Sequence, residues 1–177
     1  VILETARLVV RALAPGDVEA LAALWCDPAA TAWLGGPRRF DEVCRTLRAD
    51  LALPRQPTFD LWPTIEKASG RLIGHCGLLE KEVAGRAEVE LVYVLTPAVW
   101  SRGFATEAGR AIRDHAMTAL GQRRLVALID PGNAASERVA IRLGFRCEGE
   151  VQRAHGAMRL YACAAPEHAI LQNNPMH

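Results

Sequence analysis

The hydrophobic positions along the chain change period several times, and each change marks an element. Arg7-Leu-Val-Val-Arg-Ala-Leu13 has the aliphatic density of a strand. Pro15-Gly-Asp17 then supplies a turn and a cap for an apolar-periodic helix running to about Cys26. Asp27-Pro28 ends that helix, because the residue before a proline is pushed out of the helical region. Trp33-Leu-Gly-Gly-Pro37 predicts a loop, and a second helical pattern covers Asp41 to Leu53, closed by Pro54 and Pro57. Three strands are expected over 60–67, 71–81 and 86–95, separated by Ala68-Ser-Gly70 and by a turn at Ala84-Gly85, which makes an antiparallel meander.

A helix follows from Thr106 to about Leu120, then a buried-type strand over Arg124-Leu-Val-Ala-Leu-Ile-Asp130. Asn133 to Leu143 predicts another helix, with Gly144 as its stop. Phe145 to Val151 and Ala157 to Ala164 make a final hairpin, and 172–177 a polar tail. The order is that of an α+β fold with one strand-to-helix step near its middle, and one domain over 1–177 is expected.

Composition narrows the function. Half of the 177 residues are hydrophobic, so a sizeable core can be buried. The 21 Lys and Arg nearly cancel the 20 Asp and Glu, so no uniform basic field invites nucleic acid or an anionic membrane, and any anion must be held locally. Five scattered cysteines, with neither CxxC spacing nor a Cys/His cluster, point to a reduced cytoplasmic protein with no metal site. Glu4 and Arg7 do not fit a signal peptide, and no apolar run nears the ~20 residues of a membrane span.

The chemistry is concentrated at the strand-to-helix step Trp100-Ser-Arg-Gly-Phe-Ala-Thr106. A helix N-terminus offers unpaired N–H groups and a partial positive charge to an anion that can reach the backbone. Gly103 and Ala105 remove bulk there, while Arg102 adds a charge and Thr106 a hydroxyl. Gly103 could equally do no more than turn the chain. The Walker Lys-Ser/Thr pair is absent, which disfavours a nucleotide hydrolase. In the second block, Asn133 can cap a helix whose first turn carries Ser136.

Together these blocks resemble the GCN5-related N-acetyltransferase (GNAT) superfamily, in its RimJ/RimL-like branch. The resemblance runs through Val89-Glu-Leu-Val-Tyr-Val-Leu95, Pro97, Trp100, Arg102-Gly-Phe-Ala-Thr-Glu-Ala108, Asn133, Ser136, Leu143-Gly-Phe145 and Glu148-Gly149. Leu3-Glu-Thr-Ala-Arg-Leu8 and Trp33-Leu-Gly-Gly36 also match, so nearly the whole chain is covered. The resemblance implies a mixed, mostly antiparallel sheet splayed at the middle, with helices on both faces.

It further implies acetyl-CoA as co-substrate, with the pyrophosphate at the amides of Arg102, Gly103, Phe104, Ala105 and Thr106. The pantetheine arm would lie along Val94 and Leu95, and Asn133 and Ser136 would also border it. Trp100 stands where the family often has Gln or Arg, so cationic help must come from Arg102.

Ser136 matches the position thought to protonate the departing thiolate. Glu90 could accept the amine proton, or be a salt-bridged strand glutamate. His155 stands where ribosomal-protein acetyltransferases of this type can carry a catalytic glutamate; histidine could serve as the base there, or be merely exposed. Trp33, Gly35 and Gly36 fall in a loop that borders the family's acceptor site, and His75 could line the cleft or be a satisfied sheet residue.

The expected activity is acetyl transfer to a primary amine, on a protein N-terminus or a small molecule. The alternative is a catalytically silent acyl-CoA-binding sensor or interaction module. A homodimer fits the family.

Overall fold

The structure, a computed structural model, describes residues 1–54, 57–153 and 156–165. Strand β1 (Leu3–Glu4) and β2 (Leu8–Val10) precede helices α1 (Val18–Cys26) and α2 (Phe40–Leu51). The meander follows as β3 (Leu61–Glu66), β4 (Leu72–Val83) and β5 (Arg86–Leu95). Then come α3 (Phe104–Thr118), β6 (Arg124–Ile129), α4 (Ala134–Arg142), β7 (Arg146–Arg153) and β8 (Gly156–Ala164).

The strands form one sheet in the order β1-β2-β3-β4-β5-β6-β8-β7. Its longest ladder joins β4 to β5, from Gly74↔Leu95 to Val83↔Arg86. Ala84 and Gly85 connect the two, both at positive φ (49° and 76°), the backbone that a tight two-residue hairpin turn demands. All neighbours are antiparallel except β5 and β6, which are parallel and meet at a single register pair, Glu90↔Val126. Towards Leu95 and Ile129 the ladder stops, and the sheet is splayed at its middle as expected.

Side-chain alternation along β5 sends residues to opposite faces. Leu91 and Leu95 pack in a cluster with Phe104, Ala108 and Ile112 of α3 and Leu143 after α4. Val94 packs with Val18 and Leu21 of α1 and Val43 and Leu47 of α2. The helices therefore cover both faces of the sheet, α3 and α4 on one, α1 and α2 on the other.

The first strand is shorter than its hydrophobic run suggests. The Arg11 amide still donates to the Pro63 carbonyl at 3.2 Å, but Pro63 has no N–H to return, so the pairing ends there, and the Arg11 guanidinium grips the buried carboxylate of Asp17 at 2.6 and 2.7 Å. That two-pronged pair turns the chain into a 3-10 turn over Pro15–Asp17 ahead of α1. Helix α3 starts at Phe104, two residues before the sequence pattern suggests, because Gly103 takes the N-cap position in a left-handed conformation. All five cysteines are free thiols. Among the described residues no helix is long and apolar enough to cross a membrane. The polar tail 172–177 lies outside the described residues.

Candidate active site

Where β5 leaves β6, a cavity of about 490 Å³ opens between the end of β5, the first turns of α3 and α4, and the α1–α2 loop. Its floor is Tyr93, Val94 and Leu95. Strand β5 runs into a 3-10 turn over Pro97–Val99. Beyond it Trp100 folds back so that its indole Nε1 donates to the Leu95 carbonyl at 2.9 Å.

The chain then enters α3 through two left-handed residues, Ser101 (φ 61°) and Gly103 (φ 81°). No side chain caps this helix. The first-turn amides of Phe104, Ala105 and Thr106 have no partner within the helix, and all three residues line the cavity. Their partial positive charge faces the open space, as an anion site requires.

Arg102 lies outside the cavity lining. Its guanidinium pairs with Glu66 at 2.9 Å and stacks 4.9 Å from the Phe104 ring centre. Arg7 covers the same ring at 4.3 Å and donates to the Arg102 carbonyl at 3.0 Å. Two cations near the turn are thus engaged in holding Phe104 and the loop.

The opposite wall is α4. Asn133 caps it, its Oδ1 accepting from the Ser136 amide at 3.1 Å. The Ser136 carbonyl also accepts from the Tyr93 hydroxyl at 3.1 Å, so β5 and α4 are joined beside the cavity. Burial pushes the Tyr93 phenol up to about 12, so it stays a hydrogen-bond donor across the physiological range. Ser136 lines the cavity, and its hydroxyl makes no hydrogen bond among the described residues.

Trp33 closes one side. A Cβ on Gly132 would sit 2.7 Å from two atoms of the Trp33 ring, so the indole rests directly on the loop between β6 and α4. Gly35 (φ 87°) and Gly36 (φ 85°) turn the chain after Trp33 and stand outside the cavity lining.

Glu90 and His75 lie elsewhere. Glu90 sits where β5 and β6 meet, and its Oε1 accepts from the Leu128 amide at 3.3 Å, bridging strands that no longer share a ladder there. Burial raises its pKa above the usual carboxylate range, against the opposing pull of Lys81 and Arg153. His75 is buried, its Nδ1 accepting from Trp25 Nε1 at 3.1 Å while Nε2 donates to the Leu61 carbonyl at 3.0 Å. Burial lowers its pKa to about 4, and with both nitrogens occupied it has none to offer a ligand. His155 lies outside the described residues.

The cavity brings together Trp33, Val94, Leu95, Gly103 to Thr106, Asn133 and Ser136. Sequence reasoning missed Tyr93 as the strut of α4, and it missed Arg138 and Arg142, which also line the cavity. The signal for the arginines was their i, i+4 spacing in a helix whose cap was already evident.

Over 154 residues the chain is 31% identical to the N-acetyltransferase p20 of Bacillus licheniformis, covering 83% of each protein. The match to the YkkB protein of Bacillus subtilis, also 31% identical, is shorter and spans 59% of that protein. The fold is shared with the ribosomal-protein-S5-alanine acetyltransferase of Vibrio fischeri (TM-score 0.75, 18% identity, 93% and 97% of the two chains). It is shared equally with the spermidine N-acetyltransferase of Vibrio cholerae, solved with CoA and spermine (TM-score 0.74, 18% identity, 90% and 96%). Residues 7–146 match the acetyltransferase (GNAT) domain, and the chain belongs to that family.

Proposed function

We propose that this protein transfers the acetyl group of acetyl-CoA to a primary amine, the α-amine of a protein N-terminus or the amine of a small molecule. The observation that carries it is the uncapped first turn of α3 opening on the same cavity as the unengaged Ser136 hydroxyl. The residues fit an acyl-CoA: a backbone amide cradle without bulk for the diphosphate, and an apolar strand end, Val94 and Leu95, for the pantetheine. The RimJ/RimL-like motif residues support the protein N-terminus. The fold shared with a spermidine acetyltransferase supports a small amine. One sheet running through the described chain supports a single domain, and the free cysteines support the cytoplasm.

Acetyl-CoA supplies a thioester carbonyl for the amine to attack. The chain must take a proton from the amine, hold the carbonyl oxygen as it gains charge, and give a proton to the departing thiolate. Ser136 is assigned the last of these steps, because it lies at the α4 end of the cavity with a free hydroxyl, and Asn133 and Tyr93 fix its backbone from two sides. Glu90 is assigned the first; it stands outside the cavity lining, three residues from the floor residue Tyr93 along β5, so it would take the proton through water, and burial shifts its carboxyl in the direction a base requires. His155 is retained as a second candidate base.

The test is thiol release from acetyl-CoA against a panel of N-terminal peptides and small amines, beside acetyl-CoA-dependent thermal stabilisation. Stabilisation with turnover on a panel member is expected, and Ser136→Ala should lower kcat more than acetyl-CoA affinity. Stabilisation without turnover on any amine would favour a silent acyl-CoA-binding module. No stabilisation would end the acetyl-CoA reading.

A further inference from the structure

Helix α4 is nine residues long, and Ala140 is the one residue in it that is buried. Packing through so few side chains holds a helix loosely on a sheet, so polar ties must place its first turn. Two of those ties are the Asn133 cap and the Tyr93 hydroxyl on the Ser136 carbonyl. A third comes from the opposite side, where the Arg159 guanidinium of β8 pairs with the Glu137 carboxylate, whose side chain is 16% exposed. A glutamate in the first turn of a helix is favoured by the helix dipole without any partner, so what Arg159 adds is a fixed anchor point.

The strands that supply these ties belong to different arms of the splay. Tyr93 lies on β5, which meets β6 only at Glu90↔Val126. Arg159 lies opposite Ile129, the last residue of β6, on the strand that runs beside β6 in the other arm. Tyr161, two residues along the same face of β8, is buried in the cluster with Leu143, so the strand carrying Arg159 is fixed against the core. A chain of contacts from Tyr93 through Ser136 and Glu137 to Arg159 therefore spans the gap, with Ser136 between its two anchors. We propose that Arg159 is a positioning residue for Ser136: through Glu137 it ties the first turn of α4 to the far arm of the sheet and sets where the Ser136 hydroxyl stands in the cavity. The inference rests on the acid role proposed above for Ser136.

The experiment is a mutant cycle of Arg159→Gln with Ser136→Ala, read by thiol release from acetyl-CoA with a panel amine that wild type acetylates, and by calorimetric affinity for acetyl-CoA. Arg159→Gln alone should lower kcat roughly fivefold or more and leave the acetyl-CoA affinity within about twofold of wild type. On the Ser136→Ala background it should lower kcat by less than about twofold, because the hydroxyl it places is gone. Arg159→Lys keeps a charged donor for the single bond that Glu137 receives and should return most of the rate. If Arg159→Gln does not fold, Glu137→Gln removes the same tie and is expected to give the same cycle. An unchanged kcat, an equal fall in both backgrounds, or a loss of acetyl-CoA affinity that matches the fall in kcat would overturn the assignment and leave the acid role of Ser136 standing. A Ser136→Ala variant as fast as wild type would remove that acid role and this proposal with it, as would a wild type that acetylates no amine.

Discussion

The Tyr93 hydroxyl donates to the backbone carbonyl of Ser136 at 3.1 Å, across 43 residues of sequence. It joins the cavity floor to the turn that carries the candidate acid. The Asn133 cap fixes the same turn from its other end.

Tyr93→Phe keeps the ring and removes the strut. The lost hydrogen bond should cost about 1 kcal/mol and lower Tm by roughly 2–4 °C. Because the Ser136 hydroxyl would be less well placed, kcat should fall several-fold while the affinity for acetyl-CoA changes little. Calorimetry and steady-state kinetics check both parts, and an unchanged kcat would mean that the tie serves stability alone.

Gly103 separates strain from contact. At φ 81° a side chain is disfavoured, yet an added Cβ would meet nothing closer than Arg7 Nη2 at 3.5 Å. Gly103→Ala should therefore cost about 1–2 kcal/mol through backbone strain. Gly103→Asn should recover much of that loss, since asparagine tolerates the left-handed region. Denaturant unfolding of the two variants gives the comparison. Equal losses would point to crowding rather than strain.

His75 predicts an acid limb in stability. Its pKa drops from 6.5 unfolded to about 4 folded, so between those values the unfolded chain binds the extra proton. Stability then rises with pH through this window, and acidification from 6.5 to about 4 should remove on the order of 3 kcal/mol. Protonating Nδ1 would also displace the Trp25 donor. His75→Gln should flatten urea-unfolding stability across that pH range, even at a lower overall value. A slope identical to wild type would place the titrating group elsewhere.

The parts of this fold legible from sequence are those with local causes. The β4–β5 hairpin follows from two alternating runs around Ala84-Gly85, and the α4 cap from Asn133. The turn before α3 is legible as small residues at a strand-to-helix step, a pattern that a simple chain turn would also give, and only the surrounding family motif separates the two readings. What was not legible depends on partners far apart in sequence. From sequence Arg102 counts as a cavity cation, whereas in the structure it pairs with Glu66, 36 residues away, and stands outside the cavity lining. Arg138 and Arg142 could be placed on one helix face, but only packing of α4 on the sheet decides which way that face looks. Glycine at 132 reads as a turn residue in PGN, and its need to pass beneath Trp33 has no local trace.

Glu90 has two roles that one pair of substitutions can separate. Its Oε1 satisfies the Leu128 amide where β5 and β6 part, and its carboxylate is the proposed base. Glu90→Gln keeps an oxygen that accepts from Leu128 but cannot take a proton. Glu90→Ala loses both. Because the folded pKa of Glu90 is raised, the ionised carboxylate weakens the fold as pH rises from 4.5 through the folded value. Gln should therefore match or exceed wild-type stability at neutral pH, while Ala should lose about 1–2 kcal/mol from the orphaned amide. If Glu90 is the base, Gln should lower kcat by roughly a hundredfold or more. If Gln keeps the wild-type rate and Ala alone loses it, Glu90 acts by holding the splayed strands, and the proton must leave the amine by another route.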